Sequence, residues 1–290
     1  MSDGRPGPPE RVESEEVVGA LYLLETAAHR AVSFRDAGEG STLLQVHGLG
    51  TGRHNFDLLT PRLSKRLHVV DVDLPGYGES QALPSSERSL DAYADAVADF
   101  ISAMGLAPVA VHGCSMGGCI ALSLAARYPS LVDRLVVSVS FARIDRAGVQ
   151  VFETWRSAAA YGGGRALGEL TSQQGFSRAF WDTDEAEATK QAFIDALEST
   201  STDEFLRDLD LMVDIDFGEY ARAIEAPTLL LGADEDVMCP VEAAPSGIGM
   251  TGLNSLIRGS RLEVLPQSGH FLVIEHPDEV AASIFGFLGA

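Results

Sequence analysis

The sequence predicts an α/β fold with a mostly parallel central sheet flanked by helices. Short apolar runs alternate with amphipathic stretches along most of the 290 residues, which is the pattern of β-α units around a parallel sheet. The hydrophobic fraction of 46% is enough to bury one sizeable core. Between residues 141 and 225 no strand pattern appears, and the segment is rich in Phe, Trp and acidic residues. We therefore expect one domain that carries a helical insertion.

The predicted strands are short apolar runs separated by turns or amphipathic stretches. In chain order they cover residues 21–24, 31–34, 42–46, 67–72, 108–112, 134–140, 228–232 and 261–265. Helices are predicted near residues 55–63, over 89–104, directly after residue 115 and over 278–288. These elements divide the chain into an α/β core, residues 15–140 and 226–290, and the helical insertion, residues 141–225.

The amino-terminal 14 residues are rich in Pro, Gly and charged residues, and we expect them to form a disordered tail. They lack the apolar centre of a secretory signal. No later run approaches the roughly 20 apolar residues that a membrane span needs. We therefore expect a cytoplasmic protein without membrane contact.

Composition also argues against several classes of partner and cofactor. The formal net charge of −21 repels nucleic-acid phosphates and anionic lipid surfaces. The three cysteines, Cys114, Cys119 and Cys239, are an odd number without metal-ligand spacing, so neither a disulfide framework nor a metal site is predicted. We expect a small-molecule substrate, no cofactor and no metal ion, and a homodimer is left open.

A tight bend around Ser115 is the clearest chemical signal in the chain. The stretch Gly113-Cys114-Ser115-Met116-Gly117 has the form G-x-S-x-G, follows a predicted strand and opens a predicted helix. A serine in a strained conformation with positive φ at such a turn brings neighbouring backbones too close for side chains two positions before and after it. The helix amino end also offers N–H groups to developing negative charge. Ser115 is therefore a candidate nucleophile.

A serine hydroxyl needs a base to accept its proton and an acid to orient that base. His270 follows the last predicted strand in a loop preceded by glycine, whereas His276 begins a helix and is expected at the surface. Three acids, Asp234, Glu235 and Asp236, follow the strand at residues 228–232. They give the chain order serine, acid, histidine that is expected for this kind of bend. The residues alone leave the choice among the three acids open.

A hydrolytic serine also needs backbone N–H groups that stabilise an oxyanion. The loop after the strand at residues 42–46 reads His47-Gly48-Leu49-Gly50. Its Leu49 N–H is predicted to pair with the Met116 N–H as an oxyanion hole. His47 is expected to be structural, held by hydrogen bonds.

These motifs together resemble the α/β-hydrolase superfamily. The stretches "VHGLG", "DLPGYGES", "GCSMGG", "DVMCP" and "GHFLVIEHP" match its motifs in the same order on both sides of the insertion. The S-M-G-G form resembles the serine-nucleophile branch that contains esterases, enol-lactonases and carbon–carbon bond hydrolases. A serine at the bend argues against dehalogenases and epoxide hydrolases of this fold, which use an aspartate there.

The resemblance implies catalytic roles for three side chains and two backbone groups. Ser115 would be the nucleophile, His270 the base and Asp236 its orienter, with Leu49 and Met116 as oxyanion donors. The family's D-x-x-x-P spacing, counted back from Pro240, selects Asp236 as the orienting acid. The family's usual third position after Gly232 falls on Glu235 instead. Asp234 is the main alternative to Asp236. The implied reaction is acyl transfer through an acyl-enzyme on an ester, lactone or carbon–carbon bond.

The resemblance also implies that the insertion is a helical cap over the site and that it selects the substrate. Its aromatic residues, in particular Phe152, Trp155 and Trp181, favour a small apolar or aromatic acyl compound over a sugar. Three arginines in the insertion, Arg143, Arg146 and Arg156, are candidates for binding a substrate carboxylate.

A second hypothesis from another class is a non-hydrolytic cyclase or lyase, or a ligand-binding protein, on the same fold. An intact triad of Ser115, His270 and Asp236 favours an enzyme over a binding protein but does not show that its reaction is hydrolysis.

Two further residue types near the bend are expected to be structural. Cys114 and Cys119 are predicted to be small buried hydrophobes, and His112 a core histidine whose hydrogen bonds are satisfied.

Overall fold

The computed structural model describes residues 7–12, 19–28, 30–199 and 201–290. Within them, strands form a single nine-stranded sheet in the order β1-β2-β3-β5-β4-β6-β7-β8-β9. Pairs along β5-β4-β6-β7-β8-β9 are parallel, and pairs along β1-β2-β3-β5 are antiparallel. The strands are β1 Glu10–Val12, β2 Ala20–Glu25, β3 Ala31–Ala37, β4 Thr42–Val46, β5 His68–Val72, β6 Val109–Cys114, β7 Val132–Ser138, β8 Thr228–Ala233 and β9 Arg261–Leu265. The predicted α/β fold class is confirmed.

Helices cover both faces of the sheet and fill the insertion. In chain order they are α1 Thr60–Leu63, α2 Leu90–Met104, α3 Met116–Arg127, α4 Arg146–Gly175, α5 Arg178–Trp181, α6 Ala186–Ser199, α7 Thr202–Val213, α8 Gly218–Ala223, α9 Met250–Leu256, α10 Leu272–Glu275 and α11 Pro277–Leu288. Five of these helices, α4 to α8, lie between β7 and β8, where the sequence predicts the insertion. None of the described helices is both long and apolar enough to cross a lipid bilayer.

The core has one apolar layer on each side of the sheet. On one side α2 and α3 pack against the strands, with Phe34, Val111 and Ile120 in the same cluster. On the other side α1 and α11 do so, with Leu43 and Ile284 buried together. Because helices cover both faces of the sheet, the carboxyl ends of the parallel strands form the edge where loops can build a site.

Two local predictions are wrong, each for a physical reason. The helix expected near residues 55–63 is a 3-10 helix, Gly52–Phe56, followed by the one-turn helix α1. Pro61 explains the break, because proline has no N–H and enters a helix only in its first turn. The expected disordered tail, residues 1–14, contains strand β1, which pairs antiparallel with β2 through backbone groups and needs no apolar side chains of its own. Residues 1–6 and 13–14 of that tail lie outside the described residues.

A buried polar network crosses the middle of the sheet. His112 is fully buried on β6, where its Nδ1 donates to Gln45 Oε1 at 3.0 Å and its Nε2 accepts from Ser138 Oγ at 2.8 Å. Gln45 Nε2 donates to Asp71 Oδ1 at 2.7 Å, and Arg35 Nε donates to Asp71 Oδ2 at 2.7 Å. Each ring nitrogen of His112 has a partner that suits the neutral ring. His112 is thus the satisfied core histidine that the sequence predicts.

This arrangement predicts sensitivity to acid. Burial lowers the pKa of His112 from 6.5 to about 3, so the folded state holds a neutral ring where the unfolded chain would bind a proton. Between those two values the free energy of unfolding should fall with decreasing pH by about 1.4 kcal/mol per pH unit from this residue. The variant His112→Gln, which can still donate and accept, should show a shallower decline in urea unfolding between pH 7 and pH 5. Equal slopes for the two proteins would contradict the assignment.

Candidate active site

Four loops that follow parallel strands meet at one edge of the sheet. The His47-Gly48-Leu49-Gly50 loop follows β4, Ser115 follows β6, Asp236 follows β8 and His270 follows β9. Because β4, β6, β7, β8 and β9 run in parallel, their carboxyl ends lie on the same side. Residues up to 155 positions apart in the chain therefore come into hydrogen-bond contact.

Ser115 lies in a strained turn between β6 and α3. Its φ is 55° and its ψ is −119°, in a region that residues other than glycine rarely adopt. A Cβ at position 113 would overlap the backbone of Gly117, and one at position 117 would overlap the carbonyl oxygen of Val46. The two glycines of the G-x-S-x-G motif are therefore required by close backbone approach, as the sequence predicts.

The side chains of Ser115, His270 and Asp236 form a continuous hydrogen-bonded chain. His270 Nε2 lies 2.9 Å from Ser115 Oγ, and His270 Nδ1 lies 2.9 Å from Asp236 Oδ2. The other carboxylate oxygen of Asp236 accepts from the backbone N–H groups of Met238, at 2.8 Å, and Cys239, at 2.9 Å. Since a carboxylate only accepts, His270 donates through Nδ1 and presents Nε2 as an acceptor to the serine hydroxyl.

The structure shows which of the three acids after β8 contacts His270. Asp236 is 4% exposed and contacts His270, which is 8% exposed. Asp234 is exposed, and its Oδ1 accepts from the Ser268 N–H at 3.1 Å. Glu235 accepts from the Arg178 N–H at 2.9 Å. Among the three, Asp236 is the acid that the loop after β8 brings to the histidine.

The backbone groups expected to form an oxyanion hole flank the serine. Gly48 packs so closely that a Cβ there would lie 3.3 Å from Ser115 Cβ, and the following residue, Leu49, lines the same cavity as Ser115. Met116 is the first residue of α3, where N–H groups have no intrahelical acceptor. Neither the Leu49 nor the Met116 N–H donates a hydrogen bond to another of the described residues. Both donors are thus available to a ligand.

His47 holds this loop in place, as expected from the sequence. Its ring is fully buried, and its Nδ1 donates to the Gly48 carbonyl at 2.8 Å while its Nε2 accepts from the Leu74 N–H at 3.0 Å. Burial lowers the pKa of His47, which keeps the ring neutral in this role. Its ring also packs edge-on against Tyr77, with centroids 4.6 Å apart. Nothing in the sequence indicates this last contact.

An apolar cavity opens above Ser115 and His270. Its polar side chains besides these two are Thr171 and the thiol of Cys239, and no Asp, Glu, Lys or Arg lines it among the described residues. The insertion contributes most of the wall. The remaining lining residues are Leu49, Phe141, Phe152, Trp155, Phe193, Leu197, Phe205, Met212, Met238 and Phe271.

The structure brings only some of the predicted substrate-binding residues to this cavity. Phe152 and Trp155 line it, and the Trp155 Nε1 donates to Gln174 at 2.7 Å. Trp181 does not line it; this residue faces a separate surface depression with Lys190. Trp181 lies on the short helix α5 rather than on the cavity face of α4, a difference that aromatic content alone cannot reveal.

The three arginines predicted as candidates for a substrate carboxylate also lie away from the cavity. Arg143 pairs with Asp216 at 2.6 Å, and Arg156 pairs with Asp210 and Glu153. Arg146 is exposed at the start of α4. None of the three is a lining residue. The lining residues that sequence reasoning missed, such as Phe193 and Phe205, carry no motif, because amphipathic spacing predicts burial but not which cavity a side chain faces.

The cysteines near the site are buried thiols. Burial raises the pKa of Cys114 to about 12 and that of Cys119 to about 11, which disfavours the reactive thiolate. Cys239 lies close enough to Asp236 and His270 that the three could hold a metal ion. Burial also raises the pKa of Cys239, and a metal would displace the proton between His270 and Asp236. The hydrogen-bonded chain accounts better for these side chains.

The sequence matches a known protein family and individual relatives. A family model described as alpha/beta hydrolase fold matches residues 41–277. A 2-hydroxy-6-oxo-6-(2'-aminophenyl)hexa-2,4-dienoic acid hydrolase of Metapseudomonas resinovorans is 29% identical over 272 residues, covering 88% of this chain and 86% of the relative. A pimeloyl-(acyl-carrier protein) methyl ester esterase of Neisseria meningitidis is 30% identical over 244 residues, covering 82% of this chain and 89% of the relative.

The fold is also found in solved structures. The crystal structure of the enol-lactonase from Burkholderia xenovorans matches with a TM-score of 0.79 at 20% sequence identity, covering 92% of this chain and 100% of that one. The family model and this structural match confirm the predicted fold class. The chain belongs to the α/β-hydrolase fold family.

Proposed function

We propose that this protein is a serine hydrolase that cleaves an ester, a lactone or a carbon–carbon bond of a small apolar or aromatic acyl compound. The observation that carries the proposal is the hydrogen-bonded chain Asp236–His270–Ser115, which ends at the floor of an apolar cavity. Strain at Ser115 exposes its hydroxyl beside two unused N–H donors, which is the arrangement that acyl transfer requires.

In the proposed reaction, His270 Nε2 accepts the proton of Ser115 Oγ as that oxygen attacks the substrate carbonyl carbon. The resulting oxyanion accepts from the Leu49 and Met116 N–H groups. The imidazolium then gives its proton to the leaving group as the bond to the carbonyl carbon breaks, which forms the acyl-enzyme. Water then attacks the acyl carbon as it gives a proton to His270, the bond from that carbon to Ser115 Oγ breaks, and the imidazolium returns its proton to Oγ. Asp236 keeps Nδ1 protonated and stabilises the imidazolium throughout.

The substrate class rests on the lining of the cavity. Its wall is aromatic and aliphatic, and it lacks Asp, Glu, Lys and Arg among the described residues, so it suits an uncharged acyl group. The insertion supplies Phe152, Trp155 and Phe205 to this wall, and we propose that it acts as a cap. One relative is named as a hydrolase of an aminophenyl dienoic acid and the other as a methyl ester esterase; the aromatic group and the ester suit this cavity, whereas the carboxylic acid of the first would find no Lys or Arg among the described lining residues.

The proposal is tested by labelling with a fluorophosphonate and by turnover of p-nitrophenyl esters from acetate to decanoate. Mass spectrometry should locate the label on Ser115, and at least one ester should be hydrolysed. A protein that is not labelled contradicts the serine mechanism. A protein that is labelled without hydrolysing any ester or lactone favours the non-hydrolytic alternative.

The cap proposal predicts a change in acyl preference when the cavity wall is cut back. Trp155→Ala should shift the preferred p-nitrophenyl ester towards longer acyl groups, because removing the indole enlarges the cavity above Ser115. Trp181→Ala is the matched control, since Trp181 faces the separate depression, and it should keep the wild-type preference. A uniform loss for all esters with a lowered melting temperature in Trp155→Ala would instead assign Trp155 to the core.

A further inference from the structure

A buried carboxylate in the insertion contacts the core below it. Asp208 on α7 is 2% exposed, and its two oxygens accept from Tyr77 Oη and Tyr93 Oη, each at 2.8 Å. Arg88 also approaches, with Nη1 3.7 Å from Asp208 Oδ1 and 2.5 Å from Glu204 Oε2. Two hydroxyl donors and a nearby cation compensate the desolvation of this carboxylate. Asp208 therefore fixes where α7 rests on the core.

The same helix forms part of the cavity wall. Phe205 and Met212 line the cavity and lie three residues before and four residues after Asp208. Residues at these spacings lie on neighbouring positions of one helical face. The hydrogen bonds of Asp208 thus set the position of the wall above Ser115 as well as that of the helix.

Tyr77 connects this helix to the loop that carries Leu49. Its hydroxyl, which donates to Asp208, also accepts from the Gly50 N–H at 3.4 Å, and its ring packs on His47. Gly50 is a point of direct contact with the insertion: a Cβ there would lie 2.9 Å from Cδ2 of Leu197 and from Cδ2 of Phe205. The loop is therefore held from below by Tyr77 and covered from above by α6 and α7.

We propose that Tyr77 and Asp208 are positioning residues that couple the seating of the insertion to the placement of the Leu49 N–H. When α7 is seated, Asp208 orients the Tyr77 hydroxyl, which then holds Gly50, the residue next to Leu49. Loss of this contact lets the oxyanion donor move from its working position without altering Ser115, His270 or Asp236. The inference rests on the proposed hydrolase function and concerns the regulation of that same site.

Tyr93 provides a matched control, because it donates to the same carboxylate over the same distance and, in the part of the chain that the structure describes, makes no hydrogen bond to the loop. Tyr77→Phe and Tyr93→Phe each remove one hydroxyl from Asp208, so both should lower the melting temperature by similar amounts. Only Tyr77→Phe should lower kcat, by about tenfold, on p-nitrophenyl acetate, because small displacements of an oxyanion donor are costly in the transition state. Its KM should stay within about twofold of wild type, since a hydrogen bond of this kind acts on the donor and not on the bound acetyl group.

A second single variant and a double variant test the same connection, so the result does not depend on the behaviour of Tyr77→Phe alone. Asp208→Ala, which removes both acceptor oxygens, should lower kcat by a similar factor, and Tyr77→Phe combined with Asp208→Ala should lose little more than either change alone, because both break the same connection. Fluorophosphonate labelling rates, which need no turnover, should fall in parallel with kcat. Equal kcat and labelling rates for Tyr77→Phe and Tyr93→Phe, or fully additive losses in the double variant, would overturn the inference while leaving the proposed hydrolase intact. A wild-type protein that is not labelled would overturn both.

Discussion

Replacing Ser115 with alanine is expected to abolish ester turnover and fluorophosphonate labelling while leaving the melting temperature nearly unchanged. The hydroxyl is the group that His270 Nε2 contacts at 2.9 Å, so its removal leaves no nucleophile above the strained turn. Loss of a triad nucleophile costs about 10⁶-fold in kcat in the serine protease subtilisin, and a loss of at least about 10⁴-fold is expected here. Steady-state kinetics and a labelling gel on the same preparation would measure both effects.

The fold should survive this change because alanine keeps the Cβ and the backbone conformation at φ 55°. Ser123→Ala is a matched control, since Ser123 lies on the same helix, α3, and its hydroxyl donates to Asp91 instead. The control should retain wild-type turnover. Residual activity of Ser115→Ala above about a hundredth of wild type would sink the nucleophile assignment, because such a loss is far smaller than a triad nucleophile should show.

Replacing Asp236 with asparagine should lower turnover by several decades without displacing the side chain. Asp236 Oδ1 accepts from the N–H groups of Met238 and Cys239, and an amide oxygen would keep those bonds. The amide nitrogen would then face His270 Nδ1, which must become an acceptor, so the proton moves to Nε2 and the ring can no longer accept from Ser115. The same Asp-to-Asn change in the triad of trypsin-type serine proteases costs about 10⁴-fold in kcat, and a similar loss is expected here.

Asp234→Asn is the matched control, because Asp234 is also a carboxylate in the loop after β8. Asp234 accepts from the Ser268 N–H, and an amide oxygen can accept from the same group. A loss of less than about tenfold is expected for this variant, since it leaves the His270 tautomer unchanged. Both variants should be compared on one ester at one pH. A larger loss for Asp234→Asn than for Asp236→Asn would move the orienting role to Asp234.

Much of the sheet could be predicted from the sequence because each strand is a short apolar run next to a turn. The sequence predicts all the parallel strands from β4 onwards, and their carboxyl ends locate the site. It does not predict strand β1, because residues Glu10 to Val12 gain their place from backbone pairing with β2 and carry no apolar pattern. Helices α9 and α10 also escape prediction, since each spans at most seven residues, too short for a helical periodicity to stand out.

Within the site, the success of prediction depends on how local the signal is. The bend at Ser115 is specified by five consecutive residues, since the two glycines are required by sterics within one turn. The lining of the cavity is not local in this sense. It depends on how α4, α6 and α7 pack over the sheet, and for that reason sequence patterns miss Phe193 and Phe205 and wrongly assign Trp181 to the cavity.

The sequence by itself therefore determined the fold class, the strained serine and the histidine that follows the last strand, because each is signalled by a short stretch of sequence: alternating apolar and amphipathic runs, the G-x-S-x-G bend, and a glycine and histidine just after the last apolar run. The tertiary structure alone decided which of three neighbouring acids reaches His270, which aromatic side chains enclose the cavity, and that Tyr77 meets Asp208 across 131 residues. Each of these contacts joins segments that are far apart in the chain and meet at one edge of the sheet. Such contacts follow from the path of whole loops and helices, which no short stretch of sequence encodes.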